Sequence, residues 1–330
     1  MNNFIVITTI NHPTKAVIDF SKLKNHQLII VADQKTPIDW YLDNVHILSV
    51  GEQKKLDFQL VSLLPDNHYS RKNIGYLYAI RSGADLIIDT DDDNLPKEDW
   101  IVPKFQGLYN ISSPNLGFVN IYKFFTDSHI WPRGFPLDKV TMDSSILKSS
   151  QITQRQVNIG VWQGLADGDP DVDAIYRLTL NKPCYFSERE PIALDKGTIC
   201  PFNSQNTAFY KDLFPLLYLP SFVTFRYTDI LRGLIAQPIL WQAGYCLGFT
   251  HATVFQERNF HDYMKDFESE IPCYLHPYKV IDTVCPSISS SFSISDNLHN
   301  AYSALCKEGI VNSNEVKLLD LWLKDLDHHE

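Results

Sequence analysis

No two of the six cysteines (Cys184, Cys200, Cys246, Cys273, Cys285, Cys306) form a C-x-x-C pair, which leaves no zinc-site spacing and no disulfide framework. Reduced thiols in a cytosol are the expectation. Apolar stretches of membrane-spanning length are also missing, and the opening Met1-Asn-Asn-Phe-Ile-Val-Ile-Thr8 lacks the basic start of a secretory signal. Positive charge is scarce: 29 Lys and Arg stand against 39 Asp and Glu, a formal net charge of -10. Nucleic acid and anionic membrane are thereby excluded as bulk electrostatic partners, although a local basic cluster can still hold a phosphate. The expected location is the cytoplasm, with peripheral docking at the inner face of a membrane left open. Apolar residues make up 44% of the 330, enough for a packed core in one large α/β domain or two small ones.

The rest of the chain is arranged around Ala84-Asp-Leu-Ile-Ile-Asp-Thr-Asp-Asp-Asp-Asn94. An apolar run reads as a short buried strand, and Asp89, Asp91, Asp92 and Asp93 then crowd charge at its carboxyl end. Such carboxylates repel one another unless a cation or a ring of donors neutralises them, and oxygen-only ligands point to Mg or Mn. An EF-hand loop counted from Asp89 needs Gly and Glu where Asn94 and Trp100 stand, so it is excluded. A phosphatase with an Asp-x-Asp nucleophile places that motif on the first strand, whereas here α/β pattern comes first. The remaining uses are a metal site that bridges the diphosphate of a nucleotide sugar, and a solvated acidic turn.

Phe4–Ile10 and Gln27–Asp33 are two apolar strand patterns separated by a helical one, which predicts a parallel sheet with ligands beyond the strands' carboxyl ends. Thr8, Thr9, Asp33 and Lys35 then fall on one rim, as donor-binding or as capping residues. Ser70 to Gly83 reads as a helix with Arg71, Lys72 and Asn73 in its first turn. Cations are the wrong sign for a helix N-terminus, which suggests an anion such as a diphosphate nearby, or else a solvated turn. Residues 115 to 125 read as a strand, followed by Trp131 and Arg133, a ring and a guanidinium suited to a sugar enzyme. Asp167, Asp169, Asp171 and Asp173 alternate with Gly and Pro in a loop that can accept hydrogen bonds from sugar hydroxyls or cap the next helix. Helical periodicity returns in Asn297–Lys307 and Asn314–Leu326, beyond a Ser-rich connector.

Arg71-Lys-Asn-Ile-Gly-Tyr-Leu-Tyr-Ala-Ile80, Asp89-Thr-Asp-Asp-Asp-Asn94 and Trp131-Pro-Arg-Gly-Phe-Pro-Leu137 resemble, in order and spacing, the glycosyltransferase-like domain of the STELLO family. Gly164 to Arg177 and Asp229-Ile-Leu-Arg-Gly233 extend the resemblance over roughly residues 4 to 250. It implies an α/β fold of GT-A type with a mixed central sheet and C-terminal helices. The expected division is a catalytic domain over 1–270 (nucleotide-sugar half 1–130, acceptor half 131–270) and a helical extension over 271–330. The activity implied is metal-dependent, inverting transfer of a sugar from a nucleotide sugar to a saccharide or lipid-linked saccharide, in bacterial surface polysaccharide assembly (O-antigen, capsule or lipopolysaccharide). Two alternatives stay open, a nucleotide-sugar mutase and a non-catalytic scaffold.

The resemblance also carries roles. Asp229 stands where inverting GT-A enzymes keep the base that deprotonates the acceptor. The metal ligands are Asp89 with Asp91, or Asp91 with Asp93, depending on the register, and His251 is a candidate to complete the shell. Glu257 and Arg258 lie in the same stretch. Thr8, Thr9, Asp33, Lys35, Arg71, Lys72, Asn73, Asp89, Asp92, Arg133 and Asp169 are the expected donor contacts, with Mn or Mg as cofactor.

Overall fold

The computed structural model describes residues 2–257 and 262–327, so Arg258 lies outside the described residues. The strands, in chain order, are β1 (Asn3–Thr9), β2 (His26–Ala32), β3 (Val45–Leu48), β4 (Leu86–Thr90), β5 (Asn94–Pro96) and β6 (Gln106–Ser112). Then follow β7 (Gly117–Phe118), β8 (Ile152–Gly168), β9 (Ile192–Leu194), β10 (Thr198–Ile199), β11 (Asn206–Tyr210) and β12 (Cys246–Gln256). Ten of them form a mixed sheet in the order β3-β2-β1-β4-β11-β8-β6-β9-β12-β5, with β8 also paired to β12, while β7 and β10 form a separate pair.

Side-chain alternation splits the core in two. Phe4, Val6, Ile29, Val31 and Ile87 face one layer, and Ile5, Ile7, Leu28, Ile30, Leu86 and Ile88 face the other. The first layer is covered by the helices Lys72–Arg81, Thr228–Gln242, Pro277–Val284, Ile294–Lys307 and Ser313–Asp327, the second by Lys15–Ser21 and the segment around Trp100. No helix among the described residues is long and apolar enough to cross a membrane, and all six cysteines are free.

Gly233 sets how closely the helix Thr228–Gln242 lies on the loop before β11. A Cβ there would meet the Phe202 carbonyl oxygen at 2.3 Å, and backbone cannot step aside as a side-chain tip can. Gly233→Ala is expected to cost about 1–3 kcal/mol of stability despite the better helix propensity of Ala, read as a lower urea midpoint. An unchanged midpoint would show that the helix slides to make room.

One expected strand meets a different structure. Residues 115 to 125 give only the two-residue β7 and then the helix Tyr122–Phe125, because Phe118, Ile121, Tyr122 and Phe125 all turn into the core. The long strand β8 is new, and its second half is buried throughout. Residue 270 lies within the helix Tyr263–Leu275, and the helices after it contribute Tyr302, Leu305 and Trp322 to the main core. Buried Glu315 also accepts from the backbone N–H of Ser221 and Phe222, tying the terminal helices to the approach of helix Thr228–Gln242.

Candidate active site

β1, β2 and β4 run parallel, so their carboxyl ends open on one rim. Across β11, the ends of β8 and β12 come to the same side. The cleft between these ends holds about 480 Å³, a volume suited to a small ligand at such a switch in strand order. One wall carries Thr8, Thr9, Asn11, Asp33, Lys35 and the acidic run, and the other carries Arg133, Asp171, Asn203, Arg226 and Asp229.

The four acids of the run differ by depth. Asp89 is fully buried, with Lys72 Nζ at 2.7 Å and Arg232 Nη1 at 2.8 Å. Burial alone would raise its pKa, but the two cations hold it below the usual carboxylate range. Asp91 reaches the cleft. Its Oδ1 accepts from Lys72 Nζ at 2.9 Å and from Tyr69 Oη at 2.8 Å, while Oδ2 has no partner among the described residues. Asp92 accepts from Thr9 Oγ1 and, at 3.0 Å, from Asn11 Nδ2, which fixes the turn. Asp93 has no cation partner among the described residues; Gln256 Nε2 donates to it at 3.0 Å. Burial, reinforced by the charge of Asp91, pushes its pKa up to about 7.

This chemistry fits a divalent cation at Asp91 and Asp93. Among the described residues no three His, Cys, Asp or Glu side chains converge as a ready-made cage. Magnesium-like ions, however, are commonly held by one or two carboxylates with substrate phosphates completing the shell. A half-buried acid whose charged form lacks a counter-ion is the kind of group that such an ion satisfies.

The opposite wall is a network of paired charges. Arg133 Nε donates to Asp171 at 2.9 Å, and its Nη1 and Nη2 each lie 3.1 Å from an oxygen of Asp229. Asp229 also accepts from the backbone N–H of Ser204 at 3.2 Å and of Ile230 at 3.0 Å. All four lone-pair directions of that carboxylate are therefore used. Arg226 borders the cleft beside them, held from behind by buried Glu270 at 2.8 Å.

The structure brings Thr8, Thr9, Asp33, Lys35, Arg71, Asp91, Asp92, Asp93, Arg133 and Asp229 to the cleft and leaves the other expected residues outside it. Lys72 is spent on Asp89 and Asp91, so the cation in the helix's first turn answers carboxylates of the protein itself. Arg71 borders the cleft, but its Nε donates to Gln53 Oε1 and its Nη1 to Asp66. Asn73 is buried in a reciprocal pair with the Leu219 backbone. Asp169 pairs with Arg177, and His251 lies well back along β12, its Nδ1 3.3 Å from the Arg189 carbonyl. Trp131 is a core residue whose Nε1 donates to Asp173 at 2.6 Å, and Asp173 caps the helix Ala174–Thr179. Cleft residues that pattern reading missed include Tyr69, Asn203, Gln205, Phe225, Arg226 and Gln256. They come from short 3-10 turns, loops and strand ends with no periodic signal.

A family model described as STELLO glycosyltransferases matches residues 226–330, a stretch that starts at the cleft and includes the terminal helices. The chain is similar to two proteins of Arabidopsis thaliana. It is 28% identical over 350 residues to probable glycosyltransferase STELLO2 and 28% identical over 348 residues to probable glycosyltransferase STELLO1. Each alignment covers 98% of this chain and 44% of the relative, so the chain spans less than half the length of these proteins.

Proposed function

We propose that the protein is a glycosyltransferase of GT-A type that moves a sugar from a nucleoside-diphosphate sugar to a saccharide acceptor, with Mn or Mg held by Asp91 and Asp93. The observation that carries this reading is the pair Asp91 and Asp93 at the mouth of a cleft whose walls also present Lys35, Arg133 and Arg226. The likeness to proteins named as probable glycosyltransferases supports it. When bound, the ion neutralises the charge that builds on the departing diphosphate.

The chain's own residues do the positioning. Lys72 and Tyr69 hold Asp91 by one oxygen and leave the other for the ion. Thr9 and Asn11 clamp Asp92 and so set the turn that presents Asp93. Lys35, exposed and without an ion pair among the described residues, is free to meet a phosphate. Asp171, Asp229 and the Arg226 carbonyl hold the Arg133 guanidinium in a fixed orientation at the wall of the cleft. A thermal-shift screen of nucleoside diphosphates with Mn tests the reading. A melting-temperature rise is expected for at least one of them, and no rise with any would overturn it.

The four donors around Asp229 weigh against its acting as the acceptor's base, since a carboxylate with every lone pair engaged has none to offer a proton. Asp229→Asn is expected to lower the melting temperature, because one amide hydrogen then faces a donor, and to slow turnover by less than about a hundredfold. That is short of the hundred- to ten-thousandfold typical of a removed general base. A loss within that range, with folding and donor affinity intact, would restore the base assignment.

A further inference from the structure

At the other end of the sheet, where β1, β2 and β4 begin, two cavities of about 870 and 390 Å³ share Gln106, Asn158 and Tyr245 in their linings and so form one groove. Aromatic rings recur along it: Trp100, Phe105 and Tyr210 in the larger cavity, Tyr245 at the junction, and Trp241 in the smaller. Each ring is half-buried, and four of the five are restrained by neighbouring side chains. Trp100 Nε1 donates to Asn206 Oδ1 at 3.2 Å while its ring lies edge-on to Phe20 and His26. Tyr245 Oη donates to Asp212 at 2.6 Å, and the Phe105 and Tyr210 rings lean together with centroids 5.3 Å apart. The rings therefore lose little conformational freedom when something lies on them.

Between the rings, the exposed side-chain amides of Gln106 and Asn158 have no hydrogen-bond partner among the described residues. Each offers a donor and an acceptor side by side. That is the pattern presented by neighbouring hydroxyls on a sugar, whose ring faces are apolar and suit an aromatic floor. A nucleic acid, the other ligand that stacks on rings, is opposed by the chain's net charge of -10.

We propose that this groove binds an oligosaccharide, at a site separate from the cleft by roughly 20 Å, the length of the seven-residue β1. The choice of a saccharide leans on the glycosyltransferase reading of the cleft, and the groove then holds a growing acceptor chain at raised effective concentration near the enzyme. Saturation-transfer NMR tests this with cellohexaose, chitohexaose and an oligogalacturonate, recorded with UDP and Mn at saturating concentration. At least one saccharide is expected to bind through the aromatic signals. The surface variant carrying both Gln106→Ala and Asn158→Ala is expected to weaken that binding about tenfold, and Trp100→Ala is expected to reduce it, while UDP affinity stays unchanged. Binding by none of the three, equal binding by the double variant, or displacement by UDP overturns the proposal. If UDP fails to bind but the groove binds saccharide, the reading of the cleft falls and that of the groove stands.

Discussion

Asp93→Asn is expected to weaken metal-dependent nucleotide binding by roughly a hundredfold, the upper range for losing one charge-assisted contact, and to abolish measurable turnover. The same change is expected to leave the melting temperature of the metal-free protein unchanged or raise it. The reason is that Asp93 is a half-buried acid with no cation beside it among the described residues, its pKa pushed up to about 7 by burial and by Asp91. Removing its charge relieves repulsion within the run and leaves Gln256 with an amide partner. Asp89→Asn has the opposite signature. It strips the shared counter-ion from Lys72 and Arg232, both fully buried, so stability falls before any ligand is considered. Melting curves and nucleotide titrations on the two variants check this contrast. If Asp89→Asn abolishes nucleotide binding without a change in melting temperature, while Asp93→Asn binds normally, the ligand assignment is reversed.

Lys72→Met is expected to destabilise the fold by roughly 3–5 kcal/mol, a fall in melting temperature on the order of 10 °C. Lys72 is fully buried and lies 2.7 Å from Asp89 and 2.9 Å from Asp91. Burial would lower its pKa, but those two carboxylates hold it above the usual ammonium value. Met fills the space and removes the charge, leaving Asp89 with Arg232 alone. The double variant Lys72→Met with Asp89→Asn is expected to lose less than the sum of the two single losses, because the two residues interact directly. A Lys72→Met protein with normal stability and selectively lost nucleotide affinity would instead make Lys72 a phosphate contact.

These two cases show what the chain discloses in one dimension. The strand-then-acid pattern ending at Asp89 placed a charged site at a strand's carboxyl end, and β1, β2 and β4 do open on such a rim because their apolar runs are short and continuous. The division of labour among the acids was not legible. It is set by Lys72, which precedes them by a helix, and by Arg232, which is 143 residues from Asp89. Likewise Asp229 announces itself as an acid ahead of a helix, but the guanidinium that occupies it, Arg133, is 96 residues away. β8 did carry a partial signal, Val157, Ile159 and Val161 spaced by Asn158 and Gly160, which Trp162 and the Gly and Asp residues that follow obscured. Glu315 gave none: an acid in an amphipathic helix reads as surface until the Ser221 and Phe222 amides are seen beneath it.

On the proposed reading, Asp91 and Asp93 hold a cation on which donor binding depends, since without it the two carboxylates repel a diphosphate. Isothermal calorimetry of UDP with the wild-type protein, in Mn and then in EDTA, measures that dependence. Binding in Mn and none in EDTA is the predicted result, and equal affinity in the two conditions would contradict it.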